Sequence, residues 1–121
     1  MNPHVKQFIL AFALIGIVSI GVEAAVLIKT ETVTIQTSAI CEKCKERIET
    51  ALKSLPGVES AILSLSNKKI KVKYDSNKIS ADNIRNNISK TGYDADNVKA
   101  DAVAFKGLPS CCQKGGACTG K

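Results

Sequence analysis

The chain has 121 residues, a formal net charge of +6 and an aromatic content of 4%. That length provides one domain with a modest core. The scarcity of stacking side chains and the absence of a long basic block argue against a nucleic-acid platform.

The first 24 residues read as a leader. Lys6 precedes the apolar run "FILAFALIGIVSIGV" from Phe8 to Val22, and Val22 and Ala24 occupy the small-residue positions of a secretory cleavage site. Cleavage is expected after Ala24, which places the working domain outside the cytoplasm, in the periplasm. The run is short for a lasting membrane span. The leader holds Lys6 and Glu23, so the mature chain keeps its excess of six positive charges.

In "TVTIQT", Thr32 to Thr37, Val33 and Ile35 alternate with polar residues, the pattern of a half-buried strand. A Cys pair follows, Cys41 and Cys44. Ile48, Leu52 and Leu55 then recur at helical spacing, with Glu42, Lys45, Glu46, Glu49 and Lys53 on the wet side. This helix is expected to begin near Cys44 and stop before Pro56 and Gly57. A second strand runs from Val58 to about Leu65, with Ala61, Leu63 and Leu65 on one face. Asn67 to Lys69 form a turn. "KIKVKY" completes a hairpin, with Ile70, Val72 and Tyr74 sharing a face. Ser80 is placed to cap a second helix, "ADNIRNNISK", whose apolar side is Ile84 and Ile88. Gly92 can take its left-handed cap. "YDADNV" reads as a short final strand.

The order strand, helix, strand, strand, helix, strand defines an α+β, ferredoxin-like βαββαβ sandwich: a four-stranded antiparallel sheet with two helices on one face. This domain is expected over residues 31–98. Residues 99–121 are expected to form a short helix, with Val103 and Phe105 or Leu108 touching the domain, and then a loose cysteine-rich tail after Pro109.

All five cysteines lie after the leader: Cys41, Cys44, Cys111, Cys112 and Cys118. Two Cys separated by two residues at a helix start can aim both sulfurs at one point, and the helix dipole favours the thiolate. Two thiolates suit a soft ion, Cu(I) or Hg(II). A closed zinc site normally takes four ligands, and this segment offers no His. The same spacing also serves a local disulfide or a thiol–disulfide oxidoreductase, and the cysteines of an exported binding module can be purely structural. The tail thiols Cys111, Cys112 and Cys118 are candidates for a second metal site, or for a third ligand to the Cys41–Cys44 pair; a tail staple with one spare thiol is the other reading. No acid–base pair, nucleophile triad or phosphate loop is visible, so no enzyme activity is expected.

The Cys pair after strand one, "LPGV" after helix one and "TGY" after helix two together resemble a heavy-metal-associated domain, in the manner of periplasmic mercury-binding proteins and small bacterial copper chaperones. The resemblance covers about Glu31 to Asp96. It implies the split βαβ fold and binding of Cu(I) or Hg(II), less often Zn(II) or Cd(II), by Cys41 and Cys44. It also implies transfer of the ion to a membrane metal transporter or another carrier. The mature form is expected to be soluble and monomeric. The chain departs from the family's pattern at two places near the site. Ala39 stands where the family has a Met that supports the metal loop, and Lys43 stands where bacterial copper carriers often have His. Tyr93 matches an aromatic position close to the site in bacterial relatives, and reads equally as a core aromatic.

Overall fold

Alternation and helical periodicity are realised where the apolar residues require them. The computed structural model describes Gly21 and residues 27–113. The expected leader and Cys118 lie outside the described residues, apart from Gly21. The elements are β1 (Thr30–Gln36), α1 (Glu42–Lys53), β2 (Val58–Ser64), β3 (Lys69–Asp75), α2 (Ala81–Lys90) and α3 (Ala102–Lys106). A 3₁₀ turn, Ser110–Cys112, completes the set. Among the described residues no helix is long and apolar enough to cross a membrane.

The three strands form one antiparallel sheet in the order β1-β3-β2. Val33 lies opposite Val72 and Ile35 opposite Ile70. On the other side of β3, Ala61 faces Val72 and Leu63 faces Ile70. Because directly opposed residues share a sheet face, these side chains make one continuous apolar surface. Ile48 and Leu52 from α1, and Ile84 and Ile88 from α2, are fully buried in the same core. The opposite face carries Thr34, Lys71 and the exposed Ile62. A one-residue slip in register would exchange these two sets, so burial itself fixes the pairing.

The ends of the helices obey local chemistry. The Ser80 hydroxyl accepts the Asn83 N–H at 3.2 Å, as expected of an N-cap. Gly92, with φ 100°, turns the chain out of α2. The first helix starts at Glu42, slightly ahead of the expected position, and Cys41 is its N-cap residue with no side-chain cap bond. Glu49 is not simply on the wet side: its carboxylate accepts the Leu63 N–H at 2.7 Å, on an edge strand.

Two expectations need correction. Among the described residues the sheet has three strands, not four, and there are three α-helices: the two expected on the sheet, and α3 in the segment after residue 98 where a short helix was expected. The segment "YDADNV" starts as a strand would, with Tyr93 and Ala95 buried. It makes one bridge, Thr37 to Ala95, and then folds back on itself through Ala95 and Val98. Asp96 takes φ 52°, which ends extension. Its carboxylate holds that turn, accepting the Gln36 N–H at 2.9 Å and the Arg85 Nε–H at 2.9 Å. These bonds to Gln36 and Arg85 hold Asp96 in the turn and out of a sheet ladder.

The second correction concerns the C-terminal segment. Helix α3 forms, capped by Asp101, whose carboxylate accepts the Ala104 N–H at 2.8 Å. Val103 points to solvent at 81% exposure, whereas Leu108 is buried. The segment past Pro109 is docked as far as Cys112, which is 2% exposed.

Candidate metal centre

Cys41 lies in the loop between β1 and α1. Cys44 lies in the first turn of α1, and its side chain is fully buried. Three residues of helical turn bring the sulfurs together: Cys41 Sγ and Cys44 Sγ are 3.2 Å apart. That separation is well beyond the ~2.05 Å of a disulfide. Cys41 is 9% exposed, so both sulfurs of the pair are largely sheltered from solvent. Lys43 turns outward and pairs with Glu46 at 3.7 Å across an exposed surface, a contact of little energetic weight.

The cover comes from the C-terminal segment. The 3₁₀ turn Ser110–Cys112 packs against α1. Cys112 Sγ lies 3.9 Å from Cys41 Sγ and 3.8 Å from Cys111 Sγ. The Cys41 thiol also reaches the Cys111 carbonyl oxygen at 3.4 Å. The sulfurs of Cys41, Cys111 and Cys112 all lie within 4.8 Å of one another. Two of the three tail cysteines are thus brought to the Cys41–Cys44 pair, while Cys118 lies outside the described residues. The composition of the tail, Pro and Gly around "SCC", gave no sign of this docking. The one available signal was the apolar pair Phe105 and Leu108 ahead of it.

Ala39 is fully buried, and its N–H reaches Thr37 Oγ1 at 3.3 Å. The loop is further held by Ser38, whose hydroxyl accepts the Asp94 N–H at 2.9 Å. Ala39, Leu108 and Cys112 all belong to the buried core cluster.

Tyr93 is 1% exposed, and its hydroxyl has no hydrogen-bond partner among the described residues. Burial raises its ionisation far above the ordinary phenol range, with the neighbouring sulfurs of Cys112 and Cys44 adding to the effect. Burial likewise pushes the Cys112 thiol up to about 12; Cys44 and Cys111 reinforce this and Tyr93 opposes it. At neutral pH Cys112 is therefore a protonated thiol. A soft cation that binds it displaces that proton, because the thiolate is the ligand.

Comparison with known proteins accords with this geometry. The family model for the heavy-metal-associated domain matches residues 35–94. The copper chaperone CopZ of Staphylococcus saprophyticus is 37% identical over 65 residues, which cover 54% of this chain and 94% of the relative. The chain belongs to the heavy-metal-associated domain family. Among solved structures, this heavy-metal-associated domain is similar to the water-soluble region of the P-type ATPase CopA from Bacillus subtilis. The TM-score is 0.54 at 31% identity, over 57% of this chain and 46% of that one. Oxidized MerP from Ralstonia metallidurans CH34 shares the fold, with a TM-score of 0.53 at 22% identity over 55% of this chain and 94% of that one. The matched segment of the heavy-metal-associated domain stops before α3 and the tail cysteines.

Proposed function

We propose that this protein binds and hands on a soft metal ion, Cu(I) in the first place, through Cys41 and Cys44, without catalytic turnover. The observation that carries the reading is the placement of two sulfurs 3.2 Å apart at the N-terminus of the twelve-residue helix α1. Two thiolate ligands favour Cu(I) or Hg(II) over hard cations. Kinship with a copper chaperone supports copper over mercury as cargo. Zn(II) and Cd(II) rank behind both.

The acceptor in this reading is a membrane metal transporter. Similarity to the soluble region of a P-type ATPase supports it, since like domains can share an ion between matching sulfur pairs. The leader pattern of residues 1–24 supports export to the periplasm with cleavage after Ala24. An intact mass that still includes Met1 to Ala24 in the exported protein would reject that assignment.

Native mass spectrometry of the reduced protein, titrated with Cu(I), tests the main reading. One Cu(I) is expected per chain, and the Cys41→Ser, Cys44→Ser double variant is expected to lose it. Equal retention of Cu(I) by the double variant would refute the assignment.

A further inference from the structure

We infer that the C-terminal segment supplies thiolates to the same centre, so that Cys41, Cys111 and Cys112 together hold Cu(I) in three-sulfur coordination. This inference rests on the reading of the Cys41–Cys44 pair as the metal-receiving site.

The distances discriminate between coordination modes. With metal–sulfur bonds of about 2.3 Å, sulfurs stand ~4.6 Å apart across a linear pair, ~4.0 Å apart in a trigonal plane and ~3.8 Å apart in a tetrahedron. Cys41 and Cys112 are 3.9 Å apart, and Cys111 and Cys112 are 3.8 Å apart. All three sulfurs fall within 4.8 Å of one another. The two shorter spacings match edges of a three-sulfur site, and the third edge, Cys41 to Cys111, lies within 4.8 Å. The Cys41–Cys44 separation of 3.2 Å is shorter than any of these edges, and a linear ion would have to spread that pair. Cys41 is common to both sets, so an ion received by the pair can pass to the tail sulfurs by exchanging one ligand at a time.

The tail is held in position before any ion arrives. Cys112 and Leu108 are buried in the main core. The Gln113 side-chain amide donates to the Leu108 carbonyl at 2.9 Å, and the Cys112 N–H to the Pro109 carbonyl at 2.8 Å. Such preorganisation lowers the ordering cost of a third ligand. Cys112 Sγ, 3.9 Å from Cys41 Sγ, competes with an external thiolate for an ion held there. A partner must then displace Cys112 to take the ion, and the protein retains copper more firmly than an open two-thiolate carrier.

The test uses the full protein in a Cys118→Ser background, reduced, anaerobic and loaded with one equivalent of Cu(I). X-ray absorption should report three sulfur neighbours. The added Cys111→Ser, Cys112→Ser changes should lower that number to two and weaken Cu(I) retention at least ten-fold in competition with a chromophoric Cu(I) chelator. Two sulfurs in the parent, or unchanged retention in the tail variant, overturns the inference and leaves the two-cysteine carrier intact. Undiminished binding by a Cys41→Ser, Cys44→Ser variant overturns both. If the tail variant fails to fold, the sulfur count of the parent decides alone.

Discussion

Replacing Tyr93 by Phe removes one atom from the buried core, and this should stabilise the metal-free protein. The ring is 1% exposed and keeps all its contacts in the variant. The hydroxyl is buried with no hydrogen-bond partner among the described residues. A hydroxyl that gives up its bonds to water without full replacement incurs a penalty of about 1–3 kcal/mol. The sulfurs of Cys44 and Cys112 near it are weak acceptors and offset only part of the loss. The net gain for Tyr93→Phe is therefore about 1 kcal/mol. For a domain of this size that raises the melting temperature by roughly 4–8 °C. It also moves a urea midpoint upward by about 0.5 M at an ordinary m-value. The assay is equilibrium urea unfolding at neutral pH, with reductant and a metal chelator present. A midpoint that falls would mean that the hydroxyl is bonded in the native state, and the reasoning would fail with it.

Three further outcomes are expected. Ile88→Ala, at a fully buried position on α2, should cost about 2–5 kcal/mol in the same unfolding assay; a shift near zero would put the core on another face of the helix. Gly92→Ala should cost about 1–3 kcal/mol, because the residue sits at φ 100° and a methyl there would lie 3.1 Å from the Ala104 carbonyl and from Leu108 Cδ1. Amide exchange at Leu108 should quicken as α3 is pushed away. Burial works against the Asp96 carboxylate, but Arg85 and the Gln36 N–H outweigh it and hold the group below its usual range. Its stabilising effect is thus present above the unfolded carboxyl's value of about 3.9 and is lost as pH falls through the lower folded value. Asp96→Asn should cost about 1 kcal/mol at pH 7 after allowance for solvent screening, and the gap from the parent should close at strongly acidic pH.

The parts of the fold that announced themselves are those governed by short-range pattern. Val33 and Ile35 alternate with Thr, Ile48 and Leu52 are one turn apart, and Ser80 caps the helix that begins at Ala81. Each depends on neighbours within a few residues. The fourth strand failed because alternation at Tyr93 and Ala95 looks the same whether or not the next residue turns. What decides the matter is Asp96, whose partners Gln36 and Arg85 are 60 and 11 residues away. The sulfur pair was legible because its two members are three residues apart. The meeting of Cys41 with Cys112 spans 71 residues and is brought about by Leu108 and Gly92, neither of which carries a cysteine-specific signal.

The docking of the Ser110–Cys112 turn has a practical consequence for anyone cutting the gene. A fragment trimmed to the family match would end at residue 94. It would discard Leu108 and Cys112, both at most 4% exposed, and strip their covering from the metal loop. Such a fragment would present raw apolar surface to solvent and invite clumping, and titrations performed on it would describe a different molecule. Expression boundaries should be drawn beyond Gln113, and affinity handles kept away from that end.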